Sequence, residues 1–153
     1  MLPLALELGW GTGLDLRLGK GAVFVGAGGG PTVTVGIGEH LDAHAEARLL
    51  LLAGTTGLFR AGVGAHLSHG DWRPGAGLDV ALFYGPSLRA VTAENPTLAP
   101  DTAPVLQLRL DPLRFAGERW TAEALRLQVG SGWDRGQPAP SFGVTFGEVG
   151  VRW

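Results

Sequence analysis

The chain has 153 residues, enough for a core or a small closed barrel, and residues 1–153 read as a single domain. A composition that is 45% hydrophobic and only 17% charged excludes disorder. A formal net charge of −2 without a basic cluster gives no footing for nucleic acid, and with no Cys there are no disulfides or thiolate zinc sites; no cofactor is expected.

The amino-terminal "MLPLALELGW" lacks the basic region and small-residue cleavage site of a secretory signal, so an exported form would be a mature chain behind Met1. It opens a period-two pattern instead. Leu2, Leu4, Leu6, Leu8, Trp10, Leu14, Leu16 and Leu18 share one parity, while Glu7, Asp15 and Arg17 take the other. That alternation predicts a long strand, closed by a tight turn at "LGKG".

"AVFVGAG" and "PTVTVGIG" follow as two strands joined by a glycine turn at 28–30. "GAGGGP" there lacks the Lys-Ser/Thr and the helix of a phosphate loop. Next, "DAHAEARLLLLAG" sets Asp42, His44, Glu46 and Arg48 on alternate positions and turns at "AGTTG" into "LFRAGVGAHLS".

Past the polar loop "HGDWRPG", "AGLDVALFYG" turns at Gly85 and Pro86 into "SLRAVTAE", and the proline-rich "NPTLAPDTAP" leads to "VLQLRLDP". "WTAEALRLQVG", a loop "SGWDRGQPAPS" and "FGVTFGEVGVRW" complete the chain. The sum is about ten antiparallel strands with no helical period; eight or twelve fit the same pattern. Short and long connections alternate in the second half, as at the two ends of an outer-membrane barrel.

The two parities differ in chemistry. One collects leucines, valines and alanines and is almost free of charge. The other collects Asp15, Arg17, Glu46, Arg48, Arg60, Asp79, Arg109 and Arg126, with Gly62 and Gly64 leaving room beside long side chains. No run approaches the roughly 18 apolar residues of a membrane helix, so any membrane residence is as a barrel or at the surface. In that architecture the apolar parity meets lipid and these eight residues line the lumen. The arginine bias fits an enclosed network, since one guanidinium can pair with several carboxylates and Lys20 is the only lysine. A soluble β-sandwich or barrel, serving as a binding or assembly module of a larger complex, is the alternative.

The last dozen residues, "FGVTFGEVGVRW", alternate toward Trp153, with Gly147 marking a bulge where the parity switches. This stretch resembles the terminal strand of bacterial outer-membrane β-barrel proteins. The resemblance implies an antiparallel up-and-down barrel in the outer membrane, with the lipid bilayer as surroundings and the barrel assembly machinery as the partner that reads Trp153. Trp10, Trp72, Trp120 and Trp133 are candidate interfacial aromatics, although Tyr84 is the only tyrosine. Such a barrel would serve a structural role or enclose a narrow pore or small-ligand site.

Chemistry concentrates in one hairpin, where all four histidines fall: His40, His44, His66 and His69. A turn centred on Thr55 would set His44 opposite His66 and Asp42 opposite Ser68. Two site readings follow. His44, His66 and Asp42, or Asp71 in its place, would form a metal set of imidazoles and a carboxylate for zinc or a similar ion. The His-x-Ser spacing of His66 and Ser68 is similar to the catalytic pair of the outer-membrane lipid A deacylases, which implies hydrolysis of a lipid ester by a histidine-activated serine. In that family Asn follows the pair; here His69 does.

Overall fold

The computed structural model describes residues 4–20, 23–52, 55–88 and 98–153. Eight strands run in chain order: β1 (Leu4–Leu18), β2 (Val23–Ile37), β3 (Leu41–Leu52), β4 (Thr55–His66), β5 (Gly75–Leu88), β6 (Leu98–Ala116), β7 (Trp120–Asp134) and β8 (Gln137–Arg152). Each pairs antiparallel with the next, and β8 pairs back onto β1, so the sheet closes into an up-and-down barrel. Both termini lie at one end, here the near end, where Leu6 and Trp153 exchange backbone hydrogen bonds.

The strand number falls from about ten to eight because two stretches read as turns are strand, and a third, read as a loop, lengthens two strands without changing their number. The glycines of "GAGGGP" lie within β2, with Gly30 opposite Gly11 and Gly28 opposite Gly13 on β1. Strands approach so closely there that a side chain at Gly30 would run into the Ala47 carbonyl. Gly85 and Pro86 continue β5 opposite Asp101 and Pro100. The β4 ladder has already ended, at Gly57 with Tyr84, so a residue without an N–H removes nothing from it. "SGWDRGQPAPS" is the β7–β8 hairpin, closed by a two-residue turn in which Arg135 (φ 49°) and Gly136 (φ 74°) both take positive φ. The predicted strand over 87–94 falls largely outside the described residues.

Among the described residues, the connections 38–40, 67–74 and 117–119 lie at the near end and 135–136 at the far end. The predicted short turn at 53–57 and long loop at 95–103 fall partly outside the described residues.

Two irregularities shape the barrel. Around the near end the ladders slip, between Leu110 and Arg114 on β6 and between Gly11 and Gly13 on β1, opposite Gly147 with its φ of 83°. At the far end, β2 and β5 pair at Val23 and Leu88 above the shorter β3–β4 hairpin. The wall there narrows from eight strands to six.

The alternation turns the molecule inside out relative to a water-soluble barrel. Leu78, Val80, Phe59 and Leu106 are 54–59% exposed, whereas Arg17, Arg60, Arg109, Asp15 and Asp79 are at most 2% exposed. An eight-stranded barrel encloses a space that side chains just fill, and here most of the buried side chains among the described residues are charged or polar.

Candidate functional site

The site is the barrel interior. Asp15, Arg17, Glu46, Arg48, Arg60, Asp79, Arg109 and Arg126 are all buried inside it. Their strands bring them together from across the ring. Arg48 on β3 donates to Asp15 on β1 at 2.9 Å, and Arg60 on β4 donates to the other oxygen of Asp15 at 2.7 Å and to Glu46. Arg60 Nε also reaches Gln107 at 2.9 Å, whose amide donates to Ser141 at 2.9 Å.

Nearer the termini, Arg109 on β6 donates to Asp42 on β3 at 2.8 Å, and Arg114 bridges Asp42 at 3.0 Å and Glu7 at 2.9 Å. Arg126 on β7 is ringed by Glu46, Asp111, Glu123 and Glu148. Buried charges survive only when paired and hydrogen-bonded, and the planar five-donor guanidinium is the group that can serve several carboxylates at once. Glycines make the space: a side chain at Gly143 would sit 2.6 Å from Asp15 and 2.8 Å from Gln128.

Three members escape a parity reading: Asp111 shares the inward parity of Arg109, but Arg114, Glu123 and Glu148 point inward on the opposite parity of their strands. The near-end ladder slips reverse the faces there. Gly147 was the sequence signal for one of these reversals, the one that turns Glu148 in.

The far half of the interior is apolar. Phe24, Leu50, Leu58, Ala81, Phe83, Ala103 and Val105 form one buried cluster, with the rings of Phe24 and Phe83 5.5 Å apart beneath the β2–β5 contact. Arg17 is buried beside this cluster, its guanidinium 5.9 Å from the Phe24 ring and donating to the Trp133 carbonyl at 3.1 Å. These apolar residues share the parity of the charges, so alternation alone does not separate them.

The histidine hairpin has a different register from the predicted one. Leu51 lies opposite Thr55, His44 opposite Gly62 and Asp42 opposite Gly64. His66 ends β4, donating its N–H to the His40 carbonyl at 2.8 Å, and turns its Nδ1 toward Asp42 at 3.3 Å. His44 takes a hydrogen bond at Nδ1 from Arg109 and faces Asp79 through Nε2 at 3.7 Å. Arg109 thus stands at both His44 and Asp42. Among the described residues no group of three His, Asp or Glu is arranged to hold a metal ion.

Ser68 lies outside the barrel proper, exposed on the 67–74 connection. It lines an open basin of about 810 Å³ at the near end, together with Glu39, Asp71, Arg73, Glu118 and Arg152. No hydrogen bond joins it to His66 among the described residues. His40 and His69 are exposed on the same rim, His69 against Trp72 at 6.0 Å. Trp72, Trp120 and Trp153 surround this end with 43–66% exposure, and Tyr84 and Trp133 stand exposed toward the far end. Trp10 lies between the two groups, within β1.

A closed eight-stranded antiparallel barrel with an ion-paired interior and an apolar outer wall has the fold of small bacterial outer-membrane proteins. Over 100% of both chains it is similar to the N-terminal β-barrel domain of Pseudomonas aeruginosa OprF, with a TM-score of 0.60 and 11% identity. Neisserial surface protein A matches over 98% of this chain and 97% of its own, with a TM-score of 0.58 and 10% identity. Ail, the attachment invasion locus protein of Yersinia pestis, matches over 98% and 99%, with a TM-score of 0.54 and 7% identity. At these identities the likeness is one of fold. No protein-family model and no curated protein matches the sequence.

Proposed function

We propose that the chain is a sealed membrane barrel of the bacterial outer membrane, whose role is structural: a stable wall that holds its connecting segments at the two membrane surfaces. The observation that carries this reading is the inverted polarity, with leucines and valines outside and arginines and carboxylates inside. Water around such an outer wall would face an apolar area far beyond the few hundred Å² that soluble monomers expose, whereas lipid stabilises it.

The interior supports a closed barrel in place of a pore. The Phe24–Phe83 cluster fills the far half, and the space beside Glu7, Arg126 and Glu148 amounts to about 10 Å³, the size of one water. Hydrolysis by His66 and Ser68 is not part of the proposal, because the imidazole faces Asp42 inside the barrel while the hydroxyl faces the basin. The exposed Trp153 at the end of β8 suits reading by the barrel assembly machinery.

The test has two readouts. The purified chain is expected to stay in solution only with detergent, to migrate differently on gels before and after heating, and to give no steady conductance in planar bilayers. A monodisperse sample in plain buffer would overturn the membrane reading, and regular single-channel steps would overturn the sealed one.

A further inference from the structure

Among the described residues, the interior ion pairs link into one connected network. It contains eight carboxylates (Glu7, Asp15, Asp42, Glu46, Asp79, Asp111, Glu123, Glu148), six guanidinia (Arg48, Arg60, Arg109, Arg114, Arg126, Arg152) and the imidazoles of His44 and His66. With neutral imidazoles the acids outnumber the bases by two. A low-dielectric interior does not tolerate uncompensated charge, and a group placed there neutralises instead.

One member stands apart. Every other carboxylate of the network has an arginine nitrogen within 3.3 Å, but both oxygens of the fully buried Asp79 accept no hydrogen bond. Its nearest cation is Arg109 Nε at 4.0 Å, beyond hydrogen-bond reach.

The charges that face Asp79 are already committed. On β4, Arg60 holds Asp15 and Glu46, and Gly62 directly opposite contributes no side chain. On β6, Arg109 holds Asp42 and Asp111. On β7, Arg126 holds Glu46, Asp111, Glu123 and Glu148. On β3, His44 accepts from Arg109 at Nδ1, which places the ring proton on the otherwise unpartnered Nε2, 3.7 Å from Asp79.

We propose that the network is a proton-binding element, with one exchangeable proton held on the Asp79–His44 pair in the folded barrel. The site takes a proton from water and returns it, the Asp79 carboxylate becoming a carboxylic acid and back. The unfolded chain releases that proton in the ordinary carboxylate range, so above it the folded state binds more protons and stability falls as pH rises. The barrel thereby has a built-in sensitivity to alkaline conditions.

The test compares urea unfolding of the full chain in detergent micelles from pH 5 to 9 for the wild type, Asp79→Asn and Asp15→Asn. Asp79→Asn is expected to unfold at an equal or higher midpoint than wild type at neutral pH and above, with a shallower pH slope. Asp15→Asn, which removes a carboxylate shared by two arginines, is expected to unfold earlier at every pH with the slope retained. Infrared spectra of the wild type supply a second readout: a protonated-carboxyl C=O band at neutral pH that fades on alkalinisation. The proposal is overturned if Asp79→Asn is weakened as much as Asp15→Asn with an unchanged slope, or if the wild type shows no such band. Either result leaves the membrane reading intact.

Discussion

At the scale of single residues, the interior arginines differ sharply in what their loss would cost. Arg60 is fully buried between Asp15 and Glu46, so Arg60→Ala strips one partner from each of two carboxylates that water cannot reach. It is expected to destabilise the barrel by about 3–5 kcal/mol in urea unfolding in micelles. Arg152 lies at the rim, a fifth exposed and 3.7 Å from Glu7, and Arg152→Ala is expected to cost roughly 0–1 kcal/mol in the same assay. Equal losses would mean that burial does not set the worth of these pairs. Which residues face inward is largely legible in the sequence, because strand alternation is a local property. Which of them touch is not: partners such as Arg126 and Glu46 lie 80 positions apart and meet only once the ring closes.

At the scale of elements, turns and bulges decide what alternation alone leaves open. Two of the ten predicted strands vanish because Gly-Pro and Gly-Gly-Gly, which signal breaks in the sequence, both lie inside ladders where a neighbouring strand approaches closely or has just ended. The histidine hairpin shows the same weakness on a finer scale. Pairing Thr55 with Leu51, where the predicted turn centred on Thr55, keeps each side chain on its face but shifts every pairing, which separates His44 from His66 across the ladder. Gly147 is the bulge read correctly, and it carries a testable cost. Its positive φ is closed to most side chains, so Gly147→Ala is expected to lower stability by about 1–2 kcal/mol, measured by urea midpoint. A neutral result would mean that the β1–β8 ladder can absorb the slip without a left-handed residue.

At the scale of the whole molecule, the outer wall makes a depth-dependent prediction. Val80 faces outward in the middle of the apolar belt, and Leu4 faces outward at the near-end rim. Val80→Arg is expected to cost about 2–4 kcal/mol in lipid vesicles, against about 0–1 kcal/mol for Leu4→Arg; indistinguishable costs would argue that no bilayer surrounds the wall. The interior has a mechanical side as well. A ring of strands joined only to its neighbours flattens easily into an ellipse. Here β3 is tied through Arg48 to Asp15 on β1, through Asp42 to Arg109 and Arg114 on β6, and through Glu46 to Arg126 on β7. These ties act as spokes across the cross-section, fixing its roundness. Under uneven lateral pressure the tube would move as a stiff body, and the surrounding lipid would have to do the bending.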